Sequence, residues 1–151
     1  MSQKSLRIDH YISLLKSYEL RVHCVASVLL VSGDCLQIQR TDGQWYWAEY
    51  STFSISDEVG KYQLTVDGYS GDAGDAMAGH ATPNENSNGM MFTTLDRDND
   101  YRSGGNCAVN LGGWWYHRCS GSLINIDTDG GWVTESWTAD VQASRMLVKL
   151  N

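Results

Sequence analysis

The sequence predicts an α+β fold in which a central, mainly antiparallel sheet carries short helices and one long loop-rich region. Three observations predict it. Apolar and polar residues alternate at Tyr46, Ala48 and Tyr50, again at Tyr62, Leu64 and Val66, and again at Met146, Val148 and Leu150, which is the period of half-buried strands. Tyr11, Ile12, Leu15 and Tyr18 recur at helical spacing. From Tyr69 to about Gly131 periodicity is lost, and glycines, carboxylates and two cysteines take over.

In chain order, Asp9 is placed to cap the short helix, because its carboxylate can accept from free N–H groups of the first turn. Tyr18 to Val22 reads as extended. Cys24 to Val31 reads as a small apolar strand closed by Ser32-Gly33-Asp34. Thr41-Asp42-Gly43 is a hairpin signal ahead of the strand that holds Trp45 and Trp47. Ser54 to Gly60 is a polar turn. The next strand, through Val66, is expected to end at Asp67-Gly68. His80 to Gly89 is a polar loop. A structureless region of this length is unusual in a compact domain, and a bound metal and a disulfide are the devices that hold such regions together. Ser144 to Leu150 is the candidate strand returning to the sheet.

The chain has 151 residues, enough for one domain with a core, and 42% of them are hydrophobic, which excludes a disordered tail. Six Trp and eight Tyr stand against two Phe, a balance that favours half-buried binding surfaces. A formal net charge of −7 argues against nucleic acid as a partner. No apolar run is long enough to cross a membrane. The first residues lack an apolar signal core and a small-residue cleavage site, so the chain reads either as not secreted or as starting downstream of its true beginning. His10, His23, His80 and His117 are scattered and none sits in a catalytic motif, so no enzyme is expected.

The stretch from Asp96 to Cys119, DRDNDYRSGGNCAVNLGGWWYHRC, concentrates the chemistry. Asp96, Asp98 and Asp100 alternate, and hard oxygen ligands at close spacing suit Ca²⁺. An EF-hand would place Gly at its sixth and Glu at its twelfth position, where Tyr101 and Cys107 stand, so the loop is of another kind. None of the four cysteines forms a CxxC pair. Cys107 and Cys119 bracket a compact loop, which leaves open a disulfide worth about 3 kcal/mol on the chain-entropy model or two buried free thiols. Cys24 and Cys35 either pair with each other or stay free.

Several runs, taken together and in order, resemble the fibrinogen C-terminal domain family of fibrinogen-related proteins, ficolins, tachylectins, tenascins and angiopoietins. They are Tyr-Glu-Leu-Arg-Val at 18 to 22, Tyr-Trp-Ala-Glu-Tyr-Ser-Thr-Phe at 46 to 53, and Lys-Tyr-Gln-Leu-Thr-Val at 61 to 66. Gly-Tyr-Ser-Gly-Asp-Ala-Gly-Asp at 68 to 75, Asn88-Gly89-Met90, Asp96 to Asp100, Gly105 to Ala108 and Gly112 to Tyr116 follow. The resemblance implies a partial domain without the family's first subdomain. Residues 1–22 and 41–68 would form the central subdomain, 23–40 an atypical insertion or read-through segment, 69–131 the calcium and ligand subdomain, and 132–151 the return strand.

The resemblance further implies a Cys107–Cys119 disulfide, an extracellular setting, and a Ca²⁺ site with carboxylates from Asp98 and Asp100 and carbonyls from Arg102 and Gly104. The spacing leaves Arg102 or Ser103, and Gly104 or Gly105, open as carbonyl donors, and Asp96 reads as a supporting group. A ligand pocket is implied beside it, with Tyr116 and Trp115 as wall, the peptide bond Arg118–Cys119 often cis at its centre, and Cys119 and Ser120 as N–H donors. Trp114 and Trp115 serve equally well as core. Ser120 stands where the family usually has His, and Leu111 where it usually has Tyr. The implied function is lectin-like recognition of acetylated carbohydrate in innate defence, or, as the alternative, binding of a protein receptor. Oligomerisation is expected through an upstream region.

Overall fold

A computed structural model of the chain describes residues 34–79, 82–124, 130–133 and 138–148. The expected short helix after Asp9, the strand from Cys24 to Val31 and the segment 125–129 lie outside the described residues. The main sheet has six strands: β1 (Asp34–Arg40), β2 (Trp45–Ile55), β3 (Leu64–Gly71), β6 (Ser122–Leu123), β7 (Gly130–Val133) and β8 (Thr138–Val148). They lie in the order β3-β2-β1-β8-β7-β6, and every neighbouring pair is antiparallel. Phe92–Thr93 (β4) and Trp114–Trp115 (β5) form a second, two-stranded sheet. One short helix, α1 (Ala108–Leu111), and a 3-10 turn at Pro83–Glu85 complete the described elements.

Asp34–Arg40, set aside as part of an atypical insertion, lies in the middle of the sheet between β2 and β8. The reason is in its own pattern. Leu36 and Ile38 are fully buried and pair with Ala48 and Tyr46, so the core fixes the strand's register. The β1–β2 connection is the predicted hairpin, with Gly43 at φ 83° and its N–H donating to the Arg40 carbonyl at 2.9 Å. Cys35 is disulfide-bonded rather than free. The return strand β8 begins at Thr138, pairs with β7 over its first residues and with β1 over residues 141–148.

β3 also departs from expectation. Tyr62 lies in the preceding turn at φ 54°, and the strand continues through Asp67-Gly68 to Gly71. Gly68, at φ 69°, lies opposite Ser51, whose hydroxyl occupies the space a Cβ would need, and the β2–β3 register runs through it without a shift, so the turn-like pair does not end the strand. Burial along β2 changes phase at the same level: Ala48 and Tyr50 are buried before it, and Phe53 and Ile55 face the core after it. The second set meets the loop region, where Phe53 lies edge-on to Trp115 at 6.3 Å between centroids.

The loop that follows β3 is knitted to β2 by carboxylates. Asp72 Oδ1 accepts the Trp47 N–H at 2.8 Å, and the Trp47 carbonyl accepts from Asp72 and Ala73, both at 3.0 Å. Asp75 Oδ1 accepts from the Tyr50 hydroxyl at 2.8 Å and from the Ala78 N–H at 2.9 Å. Burial and the neighbouring Asp75 carboxylate push the Tyr50 phenol far above its ordinary range, so it stays a neutral donor. Removing the acceptor leaves the proton of a buried hydroxyl and the Ala78 backbone N–H without a partner. Asp75→Ala is therefore expected to lower unfolding free energy by about 2–3 kcal/mol in urea titrations, against about 1 kcal/mol for Tyr50→Phe, which deletes the donor instead.

Candidate functional site

The acidic turn starts from the second sheet. Thr93 is fully buried, and its hydroxyl accepts the Asn99 N–H at 3.2 Å, while Asn99 Nδ2 donates to the Phe92 carbonyl at 2.8 Å. Thr94 and Arg97 exchange backbone hydrogen bonds of 2.9 and 3.2 Å, and Asn106 Nδ2 donates to the Thr94 carbonyl at 2.9 Å. The two ends of the turn are thus tied together by asparagine side chains. Asp96 accepts from the Thr94 hydroxyl at 2.7 Å, which holds its carboxyl below the usual carboxylate range. Arg97 pairs across to Glu58 at 3.6 Å, in the open.

Asp98 and Asp100 shape the turn with their carboxylates. Asp98 Oδ1 accepts the Asp100 N–H at 3.3 Å. Asp100 uses both oxygens: Oδ1 accepts from Arg102 N–H and Oδ2 from Cys107 N–H, each at 2.8 Å. Gly104 takes φ 83°, which a side chain would resist. A carboxylate offers about four lone-pair sites, so these contacts leave acceptor capacity on Asp98 and Asp100. The donors are hard oxygens, which fit Ca²⁺ in kind. Among the described residues no three His, Cys, Asp or Glu side chains converge, so a cation here would draw the rest of its shell from carbonyls, as of Arg102 and Gly104, and from water.

The second half of the stretch is clamped by a Cys107–Cys119 disulfide with the Cα atoms 5.4 Å apart. Inside the clamp lies core. Trp114 and Trp115 are buried, with their indole N–H groups donating to Ser122 Oγ at 3.2 Å and to the Tyr62 carbonyl at 2.8 Å. Tyr116, expected as pocket wall, has no exposed surface, and its hydroxyl lies 3.0 Å from both the Leu111 and Gly112 carbonyls. It braces the Gly112-Gly113 turn from beneath and presents nothing to a ligand. The Arg118–Cys119 bond is trans, as are all peptide bonds among the described residues, against the cis form the resemblance suggests. The chain turns the corner with Cys119 at φ 65°, while Arg118 and Gly121 donate backbone N–H groups to the Asn84 and Glu85 carbonyls.

Ser120 turns inward. Its hydroxyl meets those of Ser87 and Ser122 at 2.9 and 2.8 Å, and Ser87 and Ser122 close the triangle at 3.1 Å. Arg118 remains exposed, and Cys119 is half-buried. Two side chains of the acidic turn reach towards this loop, those of Tyr101 and of Arg102, which the resemblance implies only as a carbonyl donor to Ca²⁺. Tyr101 is 55% exposed; its N–H donates to the His117 carbonyl at 2.7 Å, and its ring lies 5.1 Å from the His117 ring. Arg102 Nη1 lies 3.9 Å from Cys119 Sγ. Sequence spacing gives no sign of either contact, because each crosses from the acidic turn to the disulfide loop. Among the described residues no helix is long and apolar enough to cross a membrane.

Comparison with known proteins agrees with this architecture. The C-terminal globular domain of fibrinogen beta and gamma chains matches residues 21–138. Fibrinogen-like protein A of Apostichopus parvimensis is 37% identical over 120 residues, which cover 77% of this chain and 35% of that protein. Fibrinogen-like protein 1 of Rattus norvegicus is 35% identical over 128 residues, covering 74% of this chain and 40% of that one. This chain therefore spans well under half the length of these relatives. Among solved structures, the fibrinogen-like globe domain of human ANGPTL2 superposes with a TM-score of 0.60 at 28% identity, over 76% of this chain and 56% of that chain. Lamprey fibrin D-dimer, complexed with the peptide Gly-His-Arg-Pro-amide, gives a TM-score of 0.61 at 25% identity, over 76% of this chain and 44% of that one. On its sequence match and its fold, the chain belongs to the family of the fibrinogen C-terminal globular domain.

Proposed function

We propose that this chain is a calcium-dependent, extracellular recognition module of lectin-like type that takes acetylated glycans at the Cys119 loop, in the service of innate immune recognition. The observation that carries the reading is the disulfide-closed loop, whose His117 ring meets exposed Tyr101 and whose Cys119 Sγ lies 3.9 Å from the Arg102 guanidinium, so that the loop adjoins the Asp98–Gly104 turn. Asp98 and Asp100 would hold Ca²⁺ with the carbonyls of Arg102 and Gly104, and the bound ion would supply charge that stiffens the turn against the loop. Tyr101 takes the part of apolar wall for an acetyl methyl, since Tyr116 is committed to the core. A disulfide of this kind belongs to an oxidising compartment, which supports secretion. Oligomerisation through an upstream region would add avidity for repeated ligands.

A second reading is binding of a protein or peptide. It is favoured by the peptide held by the lamprey fibrin neighbour and by angiopoietin-related protein 6 of Mus musculus, which is 44% identical over 79 residues.

Calorimetric titration is expected to show calcium binding that Asp98→Asn or Asp100→Asn weakens by about tenfold or more. Asp96→Asn, whose carboxylate is engaged by Thr94, should change it far less. Unchanged affinity in the first two variants would remove the proposed site. In NMR titrations, N-acetylglucosamine should shift the amides of Tyr101, Arg118 and Cys119 with calcium and not with EDTA. Shifts with Gly-His-Arg-Pro-amide but none with the sugar would favour the peptide reading.

A further inference from the structure

Of the two edge strands described in the main sheet, β6 has two residues, too few to template another chain, whereas β3 runs for eight. In a strand paired on one side, every second residue turns its N–H and C=O groups to the open side. In β3 these residues include Leu64, Val66 and Gly68. Each of their N–H groups meets an acceptor that belongs to no neighbouring strand: the Met90 carbonyl at 2.9 Å, Asn88 Oδ1 at 3.0 Å and Asp67 Oδ1 at 2.7 Å. The Leu64 carbonyl accepts the Gly89 N–H at 2.9 Å, and Gln63 Nε2 donates to the Gly89 carbonyl at 2.8 Å. Asn88 to Met90 thus form a strap along the first half of the edge. The strap is pinned in turn by fully buried Met77, whose carbonyl accepts from the Ser87 and Asn88 N–H groups at 2.9 and 3.0 Å.

These contacts occupy the groups through which a sheet edge takes on a further strand. Two of the three acceptors are side chains, which supply an oxygen but no continuing ladder. A strand laid against β3 would have to displace both and would meet the strap across its path. The pairing so blocked is that of β3 with the β3 of a second copy, because each copy carries the same edge and an antiparallel two-fold contact satisfies both at once. We infer that the Asn88–Met90 strap and the Asp67 carboxylate form an autoinhibitory cover on β3, which holds this chain back from joining sheets with a second copy. The two parts act differently. The strap covers Leu64 to Val66 with protein. Asp67, exposed on the same strand, serves Gly68 and also sets a negative charge at the edge, which a second copy would bring up against its own. In a chain of net charge −7 that local repulsion adds to the general one.

The test is the sedimentation of the full chain at rising concentration. The Asp67→Ala/Asn88→Ala protein, which loses both side-chain acceptors, is expected to associate, its mass rising about twofold as a two-fold dimer requires, at concentrations where the unaltered chain shows no change. Asp67→Asn/Asn88→Asp keeps an acceptor oxygen at each position and the same net charge, and it should sediment as the unaltered chain does. In the associated protein the Val66 and Gly68 amides should exchange with solvent about tenfold more slowly than in the same protein held dilute. Where the double alanine protein loses the native near-ultraviolet circular dichroism, Asn88→Ala alone, which leaves the β2–β3 pairing intact, carries the test and should associate in the same way at higher concentration. A natively folded alanine variant that stays monomeric, equal association of the Asn/Asp protein, or association that leaves Val66 and Gly68 unprotected would overturn the inference.

Discussion

The Cys107–Cys119 crosslink is the constraint on which the candidate site depends. It closes a loop whose interior is packed rather than solvated: Trp114, Trp115 and Tyr116 are all buried within it. The chain on either side is therefore held at the surface by its own core. Phe92 meets Trp115 at 5.0 Å between centroids, and Trp114 stacks edge-on against Trp115 at 5.2 Å, so the two-stranded sheet and the main sheet share one aromatic cluster through Phe53. Such edge-to-face contacts add to area burial and fix orientation as well. Loss of the crosslink would free Cys119, and with it the contact between the acidic turn and the loop.

Polar side chains do the work of regular structure across the loop-rich half. Asp72, Asp75, Asn88, Asn99, Asp100 and Asn106 each pair with backbone groups that no strand or helix could satisfy. This is what a long connection must do to stay compact, since a buried unpaired backbone group costs about as much as a lost hydrogen bond. The buried triangle of Ser87, Ser120 and Ser122 follows the same rule. Ser120 also donates towards the Glu85 carbonyl, at 3.3 Å, and Ser122 receives the Trp114 indole N–H, so the hydroxyls join the Pro83–Glu85 turn to the end of the disulfide loop. A histidine at position 120 could not make these contacts in the same space.

Much of this was legible beforehand, and the rest was hidden for physical reasons. Alternation located β2 and the body of β8, because a half-buried strand must repeat every second residue. The same alternation is present in Leu36-Gln37-Ile38-Gln39, yet the segment matched no family string, and comparison by resemblance passed over a strand that burial places at the centre. Asp67-Gly68 reads as a turn because sequence alone does not reveal Ser51 opposite it. The acidic turn was legible from its residue types. The buried fate of Tyr116 was not, because a Trp-Trp-Tyr run has the same composition whether it lines a pocket or fills a core.

By itself the sequence determined the family, the strand periodicity and the oxygen-rich turn, since each is a property of neighbouring residues. Asp96, Asp98, Asp100 and the cysteine pair could be read in the order they occur. Only the tertiary structure decided which groups of the Asp96 to Cys119 stretch face solvent. Tyr116 went inward and Tyr101 outward, and Ser120 went to Ser87. Arg102 crossed to Cys119. Those outcomes depend on contacts between residues far apart in the chain, where burial of the aromatic cluster outweighs any local preference. The stretch that sequence marks as one motif is thus a surface turn carrying carboxylates, joined by its disulfide to a piece of the core.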